Sequence, residues 1–420
     1  MNPMWLAGGI FLITYALIVT ERVHRTVSAL LGGFAMIVVG VLPQGHALEV
    51  VDWNVIFLLM GMMIIANVLR ETGLFQWVAI RAVKLGGGSP FRTLLILSLI
   101  TAIGSAFLDN VTMVVLVAPV TLFIAAHLSV SPVPFLIAEI LASNIGGMAT
   151  LIGDPPNILI GSVAGLDFLA FLFNNGPISL VILLVFLGLA WFLFKKDLQT
   201  DSADILDVGV LDTSELITNR PLLFKSLVVL GAVVLGFVTH GVLHLEPATI
   251  AMGGATLLLL WTRSDPHHVL QDVEWTTLLF FIGLFILVQG VVAVGLIEIA
   301  AQAALRLTGG SLPLTAILIL WLSAIVSGIV DNIPYTATMI PIVQSLGHTM
   351  PMEPLWWSLS LGACLGGNAT LVGASANVVV ADLSRRSGHP ISFRLFLRYG
   401  VIITFMSLVL ATLYVWLRYL

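Results

Sequence analysis

Charge is scarce in this 420-residue sequence: Asp, Glu, Lys and Arg together make up 9%, where a soluble domain carries roughly a quarter. That is too little to wet a water-facing surface. A single cysteine, Cys364, excludes an internal disulfide and a thiolate metal cluster. No phosphate-cradling glycine loop ending in lysine occurs, so the chain carries no sign of its own ATPase. Zinc-protease, nucleophile-elbow and haem patterns are missing as well. The short alternating segments that build a membrane β-barrel do not dominate. The N-terminus has neither a basic n-region nor a small-residue cleavage site before a polar domain, so no signal peptide is expected. A soluble enzyme and a nucleic-acid partner are thereby excluded, and neither a cofactor nor a metal site is expected.

What is present is apolar. Hydrophobic residues make up 59% of the chain and mean hydropathy is +1.09. Apolar runs of about 20 residues recur, the length a helix needs to cross a bilayer with every backbone polar group paired internally. The expected fold class is therefore an all-α polytopic membrane protein. Amphipathic pieces are expected at Phe75–Val83 and Glu298–Leu307, and Ile158–Phe173 reads as one uninterrupted helix. The polar stretch 195–221 is the one plausible linker, a cytoplasmic one, between a first unit at 1–194 and a second at 222–420.

These two units overlay. Trp53 matches Trp275, Gly61 Gly283, Gly73 Gly295, Asp109–Asn110 Asp331–Asn332, and Pro119 Pro341, all at an offset of 222. Further on, LASNIGGMATLIGDPPNILI lies over LGACLGGNATLVGASANVVV with eight identities in twenty. Asp109 falls mid-way through an apolar run with no room for an aqueous loop, so its two arms read as a re-entrant hairpin, as do those around Asp331. Each repeat then has five spans, an odd number, so the repeats are inverted: about 10 spans plus 2 hairpins, with one broken helix per repeat. With both termini on the outer side, fifteen of the 17 Lys and Arg fall in cytoplasmic loops, and only Arg306 and Arg418 fall outside. That arrangement places the protein in a cell (inner) membrane.

Carboxylates at bilayer depth are costly and need a reason. Asp109 and Asp331 stand at the hairpin tips, where helix ends leave N–H and C=O groups free. Asp154 stands in Gly-Asp-Pro-Pro-Asn, 153–157. There Pro156 lacks an N–H and Pro155 turns Asp154 away from helical geometry, so the helix opens. The matching segment, Gly-Ala-Ser-Ala-Asn at 373–377, has neither prolines nor acid. Paired interruptions at matching places point to a transport site. Plainer roles exist for the same residues. The tip acids are also good N-caps, and Asn144, Thr150, Asn368 and Thr370 also suit bonds between neighbouring helices. A carboxyl group at this depth can exchange a proton near neutral pH, which makes Asp154, Asp109, Asp331 and Glu139 candidates for proton coupling. Every Lys and Arg reads as a loop or span-end residue, so none is expected near a tip or break, and a neutral polyhydroxylated species or a cation suits the site better than a dicarboxylate.

The segments SAFLDNVTMVVLVAPVT, NIGGMATLIGDPPNILI, DNIPYTATMIPI and GNATLVGASANVV resemble the ion transporter superfamily that includes ArsB, NhaD and the divalent-anion sodium symporters. They most resemble its ArsB-like branch, to which the melanosomal P protein belongs. The resemblance implies a scaffold plus a mobile transport unit that moves like an elevator. It also implies substrate or ion sites at Asp109, Asn110, Thr112, Gly153, Asp154 and Asn157, and at Asp331, Asn332, Thr336, Gly373, Ser375 and Asn377. The divalent-anion symporters carry Ser-Asn-Thr at their tips, where this chain has Asp-Asn-Val and Asp-Asn-Ile, which argues against dicarboxylate and sulfate cargo. The expected function is proton-coupled efflux of arsenite or antimonite. A cation/proton antiporter, a sodium-coupled anion carrier, a passive channel and the membrane subunit of an ATP-driven pump are the alternatives. The expected partners are the inorganic substrate, H+ or Na+ and membrane lipid; a homodimer and a separate soluble ATPase subunit are the further partners weighed.

Overall fold

The computed structural model describes residues 2–20, 22–198 and 216–420, which contain helices and no strand. The first eleven helices are α1 (Pro3–Thr20), α2 (Arg25–Val38), α3 (Gln44–Glu49), α4 (Trp53–Arg70), α5 (Leu74–Leu85), α6 (Pro90–Phe107), α7 (Asn110–His127), α8 (Val133–Gly147), α9 (Pro155–Ala164), α10 (Phe168–Asn174) and α11 (Gly176–Phe194). From residue 220 onwards come α12 (Arg220–Leu243), α13 (Pro247–Thr262), α14 (Pro266–Gln271), α15 (Trp275–Ala293), α16 (Leu296–Thr308), α17 (Leu312–Val330), α18 (Asn332–Leu346), α19 (Glu353–Gly366), α20 (Ser375–Arg386) and α21 (Phe393–Tyr419).

Among the described residues nine helices are long and apolar enough to cross a membrane, or ten if the bent pair α9 and α10 counts as one. Their outer faces are apolar too: Leu12, Phe192 and Leu260 are among many large side chains left open. A water-soluble monomer does not expose apolar surface on this scale, whereas lipid covers it at no cost. The chain is an integral membrane protein.

Two packing groups can be distinguished. In one, α2 lies along α15 and α4 along α13, flanked by α1 and α12. In the other, α6 lies along α8 and α17 along α19, with α7, α9, α11, α18, α20 and α21 around them. Phe171 meets Trp357 edge to face at 5.2 Å, and Phe194 stacks on Tyr399 at 4.9 Å. The Phe194–Tyr399 stack ties α11 to α21 within the second group, and Phe171 fastens α10 against α19.

The expected uninterrupted helix over Ile158–Phe173 is not there. The chain bends by 118° between α9 and α10. Gly165, with φ 65°, closes α9 in the left-handed region, and Asp167 starts α10 by accepting the Ala170 N–H at 2.6 Å. A glycine stop and an aspartate start thus override a continuous apolar run. The short helices α3 and α14, too polar to stand out from the hydropathy pattern, also differ from expectation. Most of the expected linker at 195–221 lies outside the described residues. Its far end docks on the α4–α5 turn, where Thr218 donates its N–H to Thr72 O at 3.1 Å and its hydroxyl to Glu71 O at 2.8 Å.

Candidate functional site

Each hairpin turns within two residues or fewer. Asp109 separates α6 from α7 together with Leu108, and Asp331 alone separates α17 from α18. Both acids cap the helix that follows. Asp109 accepts the Thr112 N–H at 2.9 Å and the Thr112 hydroxyl at 2.5 Å, and Asp331 accepts the Ile333 N–H at 3.0 Å. The capping reading of these acids is thus correct as far as it goes.

The breaks sit against the tips. α8 ends at Gly147 and α9 begins at Pro155; α19 ends at Gly366 and α20 begins at Ser375. Opening a helix frees carbonyls that must find donors, and here the tips supply them. The Asn110 N–H donates to Gly153 O at 3.1 Å, and the Asn332 N–H donates to Gly373 O at 3.1 Å. Other freed carbonyls are braced from within. The Asn157 amide donates to Met148 O at 3.1 Å and Thr150 O at 2.8 Å, and the Asn377 amide to Gly367 O at 2.7 Å and Thr370 O at 2.9 Å. Thr150 and Thr370 reach back to Ala106 O and Gly328 O at 2.6 and 2.5 Å. Thr336 spends its hydroxyl on Asn332 O, one turn back on its own helix.

This close approach is possible because Gly146 and Gly366 have no side chain. A Cβ at Gly146 would overlap the Ala102 carbonyl of α6, and one at Gly366 would overlap Ser327 Oγ and the Ala324 carbonyl of α17.

At the centre lies Asp154, fully buried. Its Oδ1 accepts one amide N–H from Asn110 and one from Asn332, each at 3.2 Å, and Asn332 also reaches Oδ2 at 3.4 Å. Asn110 donates further to Asn144 Oδ1 at 3.0 Å. Asn144 in turn donates to Asn368 Oδ1 at 2.9 Å and Asn377 Oδ1 at 3.0 Å, and Asn368 donates to Leu141 O at 3.3 Å. One connected amide and carboxylate network therefore joins both tips and both breaks. Asn110 Oδ1 is buried and has no hydrogen-bond partner among the described residues.

Glu139 stands apart from the central network, and one placement differs from expectation. Glu139 is buried on α8 and takes the Thr121 hydroxyl at 2.5 Å, without a bond to the central network. More consequentially, a basic residue does reach a tip. Arg25, from the start of α2, places Nη1 3.2 Å from Asp331 Oδ2 and contacts Ser375 Oγ, which itself donates to Asp331 Oδ2 at 3.0 Å. Arg25 stands at a span end in the sequence, as expected, but that end lies beside the second tip. Glu274, just before α15, is also in electrostatic reach. Burial and the charge of Asp109 raise its pKa above the ordinary 4.5, against the opposing pull of Thr277 and Arg25.

Comparison with known proteins agrees with the helical architecture. Residues 15–362 match the family model described as citrate transporter. An uncharacterized transporter of Mycobacterium tuberculosis is 48% identical over 99% of this chain and 98% of its own length. The human P protein is 34% identical over 94% of this chain and 57% of its own, a likeness the tip and break motifs led us to expect. Among solved structures, the YdaH transporter of Alcanivorax borkumensis superposes with a TM-score of 0.56 at 13% identity, covering 99% of this chain and 98% of that one. The chain belongs to the citrate transporter family; it is a membrane transporter and not an enzyme.

Proposed function

We propose that the chain is a secondary carrier that moves a small carboxylate solute, citrate being the model case, together with protons or Na+. The observation that carries this reading is the central network, in which one buried acid, Asp154, is bonded by both hairpin tips. The buried acids Asp109, Asp154 and Asp331 gather at the tips and the first break, and among the described residues Arg25 makes an ion pair with Asp331. An anionic solute entering such a site is repelled unless cations enter with it, so coupling follows from charge balance. Arg25 supplies the cationic contact whose expected lack argued against a carboxylate.

In this reading the two units are inverted repeats with the basic loops cytoplasmic and both termini outside the inner membrane. The group holding tips and breaks slides against the group of α2, α4, α13 and α15, as an elevator does. Efflux of trivalent arsenite or antimonite is the second reading. It is favoured by the amide-rich centre formed by Asn110, Asn144 and Asn332, which offers a neutral oxyacid hydrogen bonds without a fixed positive charge.

Inverted membrane vesicles with an imposed ΔpH or Na+ gradient test both. Citrate should accumulate in wild type and fail to do so in Asp154→Asn. Arsenite accumulation without citrate replaces the first reading by the second. Uptake that ignores every gradient means a channel, and uptake that needs ATP means a pump subunit.

A further inference from the structure

We propose that Arg25 is a tethered counter-ion for Asp331: it neutralises this acid in the state seen, and when the α17–α18 hairpin leaves α2 the acid has to take a proton or a small monovalent cation in its place. The inference rests on the elevator reading above, and it makes cation uptake at the second tip obligatory for movement.

Arg25 is oddly placed for an ordinary structural arginine. It is the first residue of α2, where the partial positive charge of the helix end disfavours a cation. What offsets this is the other packing group. The guanidinium bonds Asp331 at the tip and Ser375 at the break, and lies 5.8 Å from the centre of the Phe280 ring on α15. One static side chain thus holds both halves of the second tip–break pair.

The tip it holds is strained. Asp331 has φ 89° and ψ 141°, a region that residues with a Cβ adopt only when their surroundings impose it. Asp109, at the matching position of the first tip, is relaxed at φ −62° and ψ 155°. At an offset of 222 from Arg25 stands Pro247, the first residue of α13. The strain accompanies the arginine.

Asp331 is 7% exposed. A buried carboxylate that loses its partner without replacement is heavily penalised. Arg25 cannot travel with the hairpin, because it belongs to α2 and α2 is packed along α15. The moving hairpin therefore needs one positive charge per cycle at Asp331. Arg25 competes for that position in the state seen. The other acids in electrostatic reach are Glu274, which feels Arg25 and Asp109, and Asp154, which feels Asp331 and Asp109.

The test is charge movement by the full chain in proteoliposomes on a sensor membrane, evoked by a jump in Na+ or in H+ with no organic solute present. Wild type should give a saturable displacement with one of the two ions. Arg25→Gln should lower the half-maximal concentration by about tenfold or more, equivalent to ~1.4 kcal/mol of lost competition. Arg25→Lys should stay close to wild type. In an Asp331→Asn background, Arg25→Gln should have no further effect. The exchange Arg25→Asp with Asp331→Arg should restore a folded protein, checked by its elution as a single species, yet show no displacement from this site. An unchanged or raised half-maximal concentration in Arg25→Gln overturns the proposal, as does a wild type that moves no charge with either ion. Citrate and arsenite uptake by the same wild-type vesicles reports separately on the carrier reading. Uptake alongside an unchanged Arg25→Gln response removes the tether alone, whereas no uptake of either solute removes the carrier reading itself.

Discussion

Asn110 and Asn332, in different halves of the chain, donate their side-chain amides to the same oxygen, Oδ1 of Asp154, at 3.2 Å each. An amide in place of that carboxylate offers one acceptor oxygen and turns its NH2 group towards existing donors. Asp154→Asn should therefore lower stability by about 1–3 kcal/mol, the cost of buried donors left poorly paired. Gradient-driven uptake should fall by more than about tenfold, a loss of at least ~1.4 kcal/mol in transport barrier. Thermal unfolding in detergent and vesicle uptake check the two parts.

The backbone at Asp331 separates two effects of replacing it. Glycine accepts φ 89° freely, whereas alanine does not. Both substitutions remove the contact to Arg25. Asp331→Gly should thus be more stable than Asp331→Ala by about 1–2 kcal/mol, read as a difference in unfolding midpoint. Equal midpoints would remove the strain from the account of the second tip.

Gly146→Ala and Gly366→Ala each force a methyl group into a backbone carbonyl of the helix alongside. Overpacking of this kind costs about 1–3 kcal/mol. A Cβ at Gly188, in α11, meets nothing within 4 Å. Gly188→Ala should be neutral or gain up to ~1 kcal/mol from helix propensity. The three melting temperatures, compared in one detergent, check the contrast.

Glu274 supplies a pH signature. Its pKa is raised from 4.5, so the folded chain binds this proton more tightly than the unfolded chain. Its contribution to stability is therefore full below pH 4.5 and is lost as pH rises through the folded value, beyond which it stays flat. Glu274→Gln should flatten that part of the stability profile. A profile whose slope is unchanged by the substitution contradicts the assignment.

The tips and breaks were legible because each violates its surroundings. Asp109 and Asp331 interrupt apolar runs, and Gly153-Asp154-Pro155-Pro156 cannot continue a helix. Gly73 and Gly295, matched in sequence, both open a short helix at φ 78°. What could not be read was contact between distant segments. Arg25 meets Asp331 from 306 residues away, and nothing in the local pattern around either residue signals the other. The same holds for Asn144 and Asn377, 233 residues apart. Periodicity reports which face of a helix is apolar, not which polar atom on another helix will meet it. Gly165 is a different case. Its stop signal was present, but the apolar residues beyond it, Leu169 to Phe173, imitate a continuing span.

Ala374 stands immediately before α20, in the second break, where Asp154 stands immediately before α9 in the first. The Asn110 and Asn332 amides thus share one carboxylate, and it lies in the N-terminal part of the chain. Neither half should therefore work alone. The first lacks the Asn332 amide, and the second lacks the acid altogether. Two fragments cut within the linker and produced separately should be inactive alone and regain function only when they reassemble. Joining two copies of the second half would give a machine with nowhere to fasten its tips.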